Sequence, residues 1–340
     1  MTAARALLLT VLGGMLASCA STPWNPEGYP LKHRRYWESR PSRSRRMESK
    51  MEPAFDDLVE FLKKDNEVNG YTDVPEPAKP TKDFLRDFKK AIRSIPKAFR
   101  EPVNAQLEGI FFVNHLGSTA YTESVADPDG QARAGFTVFD VGALQRKANE
   151  WATWKESTAF GPGTHLRVTI ERASNNTRSA AIEFILIHEL SHVFALGRGL
   201  HPDWRTFAEP ESYPFSGLSW VTSEAGGRQA YASRWDLDFQ LRKGIKFYVD
   251  SPKKNPASAA FDTYRQLKKT DFATLYAATS PFDDFAESMT TYLHTVIEHR
   301  PYEVQVLDRK GGTRVRLRSC WTEKRCAQKR KFLEGLLHRP

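Results

Sequence analysis

His188 and His192 stand four residues apart in the run His188-Glu189-Leu190-Ser191-His192. On a helix that spacing puts both imidazoles on one face, near enough to share one metal ion. Glu189 then projects beside the ion, where a carboxylate can take a proton from metal-bound water. Zinc suits this pattern, because it accepts imidazole nitrogen and a catalytic zinc keeps three protein ligands plus one position for water. Ile182, Phe184, Ile185, Leu186, Ile187, Leu190, Val193 and Phe194 leave the segment without a polar stripe. A helix is therefore predicted over 179–196, buried on nearly all sides and ended by Gly197. Burying two His and a Glu without partners is unfavourable. They form either a metal site or a pair of hydrogen-bonded core histidines, and a metal would need a third ligand from elsewhere.

A second segment carries a resemblance. Tyr276-Ala-Ala-Thr-Ser-Pro-Phe-Asp283-Asp-Phe-Ala-Glu287-Ser288 resembles the second zinc-binding segment of gluzincin-type peptidases. It looks most like the anthrax-lethal-factor-like branch and related bacterial zinc peptidases. The likeness rests on this segment and the His-Glu-x-x-His run alone. It implies that Tyr276 stabilises the oxyanion, that Asp283 is the third zinc ligand, and that Glu287 bonds a ligand histidine from behind. It also implies an α+β, zincin-like domain, with a mixed sheet packed on the His188–His192 helix and a second zinc-binding helix. The activity implied is zinc-dependent hydrolysis of peptide bonds, as an endopeptidase acting on a peptide or protein. One departure stands out: the group usually has Glu where this chain has Asp283, a side chain one methylene shorter. Asp283 also lies three residues after Ser280, the acid position of a capping box. If it only caps, Glu287 is the ligand. Two rival functions remain: a non-catalytic lipoprotein of the same fold that binds peptide, cell wall or a partner protein, and a purely structural zinc site. His201 and His294 are unassigned.

Other elements must position these residues. Phe55, Leu58, Phe61 and Leu62 predict a helix over 53–64, and Phe84, Phe88, Ile92 and Ile95 another over 83–95. Strands are predicted over 107–114, 135–141 and 165–171, the last or its neighbour able to pair with an extended substrate. Residues 198–270 contain Trp204, Trp220 and Trp235 and little periodicity, and read as a partly helical insertion over the active face. Ser280-Pro281 opens a helix burying Phe282, Phe285, Met289, Leu293 and Val296. Residues 303–307 and 313–317 read as a hairpin, and 332–337 as a terminal helix.

Residues 1–18 read as a signal peptide, and Leu16-Ala17-Ser18-Cys19 resembles a bacterial lipobox whose Cys19 is acylated. The alternative is an ordinary secretory signal with a chance Cys. Residues 19–52 are basic and Pro-containing and suggest a tether, followed by a helical lead-in over 53–80 and the main domain over 81–340. The remaining cysteines, Cys320 and Cys326, would pair outside the cytosol. The net charge of +9 suits an anionic membrane surface. No zinc finger, RNP-like strand or basic aromatic helix supports nucleic acid as a partner. The lipoproteins that this segment resembles carry an acidic residue after the Cys when retained at the inner membrane; Ala20 is not acidic, so the resemblance implies the outer membrane, facing the periplasm. A monomer is expected.

Overall fold

The computed structural model describes residues 25–40, 46–249 and 254–337. The strands are β1 (Met51–Pro53), β2 (Glu76–Pro77), β3 (Leu107–Asn114), β4 (Ala120–Ala126), β5 (Ala132–Asp140), β6 (Leu166–Thr169), β7 (Trp220–Ala225), β8 (Arg228–Ser233), β9 (Glu303–Leu307) and β10 (Thr313–Arg318). The helices are α1 (Arg34–Glu38), α2 (Asp56–Asn69), α3 (Lys82–Ser94), α4 (Lys97–Gln106), α5 (Ala148–Ser157), α6 (Arg178–Ala195), α7 (Ala260–Leu267), α8 (Pro281–Tyr292) and α9 (Ala327–Leu337). The class is α+β with a mixed sheet. Its main strands run in the order β1-β3-β5-β4, with β2 also on β3. β1, β3 and β5 are parallel, and β4 returns antiparallel as the edge.

Alternation along the strands builds two cores. Ile110, Phe112 and Phe139 join a core with α3, α6 and α8, while Phe111, Val113, Phe136 and Val138 join one with α2. β3 is thus buried on both faces, which is why its sequence is a near-continuous apolar run. α6 crosses the first face. Gly135, opposite Ser124 in the β4–β5 register, makes this crossing possible. A Cβ there would sit 2.8 Å from the Glu123 carbonyl oxygen and 3.1 Å from the Leu196 side chain. The missing side chain lets α6 settle against the edge strand that carries Thr122.

The 19–52 tether is corrected where the chain is described. Leu31, Trp37 and Met47 are buried, and β1 pairs with β3. Trp37 packs on Phe55, Phe111 and Phe136 and donates its indole hydrogen to the Leu31 carbonyl at 2.7 Å. Buried Lys50 donates to the carbonyls of Asn104 and Leu107. Scattered single apolar residues among prolines and charges give no period, so composition hides this packing. Trp37→Ala is expected to cost about 3–5 kcal/mol in a denaturant titration; a solvated tether would lose nothing. Cys19 and the signal segment lie outside the described residues.

The described residues of 198–270 form the β7–β8 hairpin, α7 and short turns. Phe215, Trp220 and Phe239 of this segment are fully buried in the main core. Trp220 donates to Asp284 and Trp235 to Asp271, so the segment is a buttress for α8. The expected strand near 165–171 is β6, but it belongs to a separate sheet, β10-β9-β6. Cys320 and Cys326 form a disulfide just ahead of α9. Buried Lys329 on α9 lies 2.6 Å from Asp284 and 3.4 Å from Asp271, tying the tail to the first turn of α8. No helix of the described residues is long and apolar enough to cross a membrane.

Candidate metal centre

Two capped helices bring the side chains together. Thr177 accepts the Ala180 amide at the start of α6, and Ser280 accepts the Asp283 amide at the start of α8, with Pro281 in the first turn. The His188 and His192 Nε2 atoms are 3.3 Å apart. Asp283 Oδ1 lies 3.8 Å from each. Donor atoms of all three lie within 4.8 Å of one another, the one such metal-ligand group among the described residues. Tetrahedral ligands about 2.0–2.2 Å from one zinc are roughly 3.3–3.6 Å apart, so the set fits that ion with small adjustment.

The two candidate acids take different places. Asp283 faces the histidine pair with Oδ1, while its Oδ2 accepts hydrogen bonds from Ser280 at 2.7 Å and Thr279 at 3.1 Å. Its amide is capped and its carboxylate is aimed by the same turn. Glu287, one turn on, sits behind: its Oε1 is 3.1 Å from His188 Nδ1. Buried Lys155 on α5 comes within 3.6 Å of Glu287 and 3.4 Å of Glu156. Burial alone would raise the Glu287 pKa, but Lys155 and His188 outweigh it and hold it at about 2. With Glu287 against Nδ1, His188 turns Nε2 toward Asp283 and His192. Lys155 is invisible to motif reasoning, because a lysine in a weakly patterned segment announces no partner.

Glu189 is buried, and its Oε2 accepts the Thr122 hydroxyl hydrogen at 2.6 Å. Burial raises its pKa, while His188 and Thr122 oppose the rise. Burial likewise raises Asp283, against His188 and the two hydroxyls. His192 is pushed well below its ordinary pKa by burial and then by His188. Three buried or nearly buried carboxylates therefore crowd two imidazoles, and buried Lys155 touches one of them, Glu287. A divalent cation would offset that excess negative charge.

Tyr276 lies in a short turn before α8, its ring centroid 5.6 Å from that of His188. The edge-on Phe247 ring and the Lys155 ammonium, 4.5 Å from its centroid, hold it in place. Burial, then Asp283, keeps the phenol protonated and able to donate. These residues open on a cleft of ≈ 610 Å³, with Ala120–Glu123 of β4 along one side. Trp204 and Arg205 are the residues of 198–270 that line this cleft. A smaller cavity of ≈ 40 Å³ lies among Thr119, Lys155, His188, Glu189, Tyr248 and Tyr276. At that size it has room for ordered water.

His201 and His294 are not ligands. Both are buried. His201 Nδ1 donates to the Pro202 carbonyl, and His294 Nε2 donates to the Ile170 carbonyl at 2.6 Å. Burial pushes His294 from 6.5 to about 4 against the help of that bond. Below 6.5 the unfolded chain therefore binds a proton that the folded chain refuses. Relative to His294→Gln, the protein is expected to lose up to about 3 kcal/mol as the pH falls from 6.5 to 4, read by denaturation at several pH values. Above 6.5 the contribution is fully present, so the two proteins should differ by a constant amount there.

No protein-family model, no curated protein and no solved structure matches this chain. The chemistry of the site rests on its own geometry.

Proposed function

We propose that this chain is a zinc-dependent peptidase of the gluzincin type with a zincin-like fold, anchored through Cys19 to the bacterial cell envelope. The observation that carries the reading is the convergence of His188, His192 and Asp283 donor atoms within 4.8 Å, with Glu189 buried beside them on the same helix. His188, His192 and Asp283 would hold Zn²⁺, which when bound polarises a carbonyl and makes water a nucleophile near neutral pH. Glu189 takes the proton of the attacking water and passes it to the leaving amine. Its raised pKa matches that double duty, since a base poised nearer neutrality also serves as an acid. Tyr276 donates a hydrogen bond where negative charge develops on the carbonyl oxygen. β4, the edge strand beside Glu189, offers backbone groups to an extended peptide, the role first expected near 165–171. Glu189 favours catalysis over simple binding or a structural site, because metal retention does not need it. The lipobox-like Leu16–Cys19 run and the Cys320–Cys326 bond support export, with the outer membrane facing the periplasm as the proposed location.

Zinc-loaded protein incubated with a peptide library, with mass-spectrometric detection of new termini, tests the reading. Cleavage stopped by a chelator and restored by zinc is expected. Absence of any zinc-dependent cleavage contradicts it.

A further inference from the structure

The free edge of β4 is short. His33 forms a parallel bridge with Ala126, and the turn Pro30–Lys32 packs along the same strand. Lys32 is buried, with Nζ 2.5 Å from Glu123 Oε1 and 3.4 Å from Glu27 Oε1. Glu123 also accepts from Tyr121 at 2.7 Å and from Trp204 at 3.1 Å. Arg205 lies 3.6 Å from Glu27. Residues 25–33 and 204–205 thus meet at Glu123, one residue along β4 from Thr122, which bonds Glu189.

We propose that residues 25–33, locked through Lys32 and Glu123, wall off one end of the groove, so that the site admits only about two substrate residues on that side of the scissile bond. This rests on the peptidase reading. A strand added to β4 advances about 3.3 Å per residue. Starting opposite Thr122, it meets the Lys32–Glu123 pair after one or two steps. The wall is fixed. Leu31 and Trp37 anchor it in the second core, and displacing it would strip buried Glu123 of its ammonium partner. The substrate class follows: chain ends and short oligopeptides are trimmed, in place of the internal cleavage that the family resemblance implies. The same segment explains why residues 25–40 are folded onto the domain although their composition suits a linker.

The test uses zinc-loaded full-length Glu189→Gln protein. A peptide selected from a library for binding is extended by one to six alanines at each end, and Kd is measured by fluorescence anisotropy. Extension beyond about two residues at one end is expected to weaken binding at least tenfold, with the other end tolerant. Lys32→Ala, and separately Arg205→Ala in case the first fails to fold, should restore binding of the extended peptides, since each removes a charge contact of residues 25–33. Unchanged affinity for extensions at both ends overturns the wall. Wild-type protein is assayed on the same peptides for cleavage: binding with the length limit but no hydrolysis leaves the wall standing and contradicts the peptidase reading. Failure to select any binding peptide overturns both.

Discussion

Glu189→Gln is expected to lower zinc-dependent peptide hydrolysis by about 10²–10⁴-fold, the usual contribution of a positioned general base, while the zinc content stays unchanged. The amide keeps the shape of the side chain, and its oxygen can still accept the Thr122 hydroxyl at the place where Oε2 accepts it at 2.6 Å. What it loses is the ability to take a proton. The metal set, His188, His192 and Asp283, is untouched. Rates with the selected peptides and metal analysis of the same preparations check both halves. Activity that survives the change would remove Glu189 from the mechanism. Loss of zinc together with activity would mean that the substitution disturbed the site and not its chemistry.

The second large effect separates the two acids. Asp283→Ala is expected to weaken zinc binding by more than about 100-fold, beyond the 10–100-fold typical of losing a partner behind a ligand. Glu287→Ala should fall within that smaller range, since it frees the His188 ring without removing a donor from the metal-facing side. Stability without metal should rank the other way. Removing Glu287 strips buried Lys155 of a carboxylate 3.6 Å away and leaves it Glu156 alone, a loss of up to about 3–5 kcal/mol, the cost typical of breaking a buried pair. Asp283 is less buried, and its removal orphans only two hydroxyls that can turn elsewhere. Chelator competition gives the first ranking and denaturation of the metal-free variants the second. If Glu287→Ala loses zinc more completely than Asp283→Ala, Glu287 is the ligand.

Much of this arrangement is legible in the sequence because strong local rules write it. The helix over 179–196 is found within one residue at each end, since its apolar residues, its Thr177 cap and Gly197 all agree. Ser280-Pro281 marks the start of α8, and the buried runs of β3 and β5 read as strands. β4 escapes for a physical reason. It is an edge strand lining a polar site, so Tyr121, Thr122, Glu123 and Ser124 leave it without alternating hydrophobicity on either face. Thr122 as the partner of Glu189 follows from finding β4, and cannot be reached before it. Lys32, Lys50 and Lys155 mislead in the same way: each is buried and paired, while lysine in a sequence ordinarily signals solvent. The Asp283-or-Glu287 choice turns on which turn of α8 faces α6, a tertiary fact that spacing along one helix does not contain.

Zinc K-edge absorption of the purified, metal-loaded wild-type chain tests the central claim most directly. One zinc per chain is expected, coordinated by nitrogen and oxygen only, with scattering from two imidazoles and an exchangeable water. A chain that takes up no zinc, or one whose zinc is closed by four protein ligands, would contradict it.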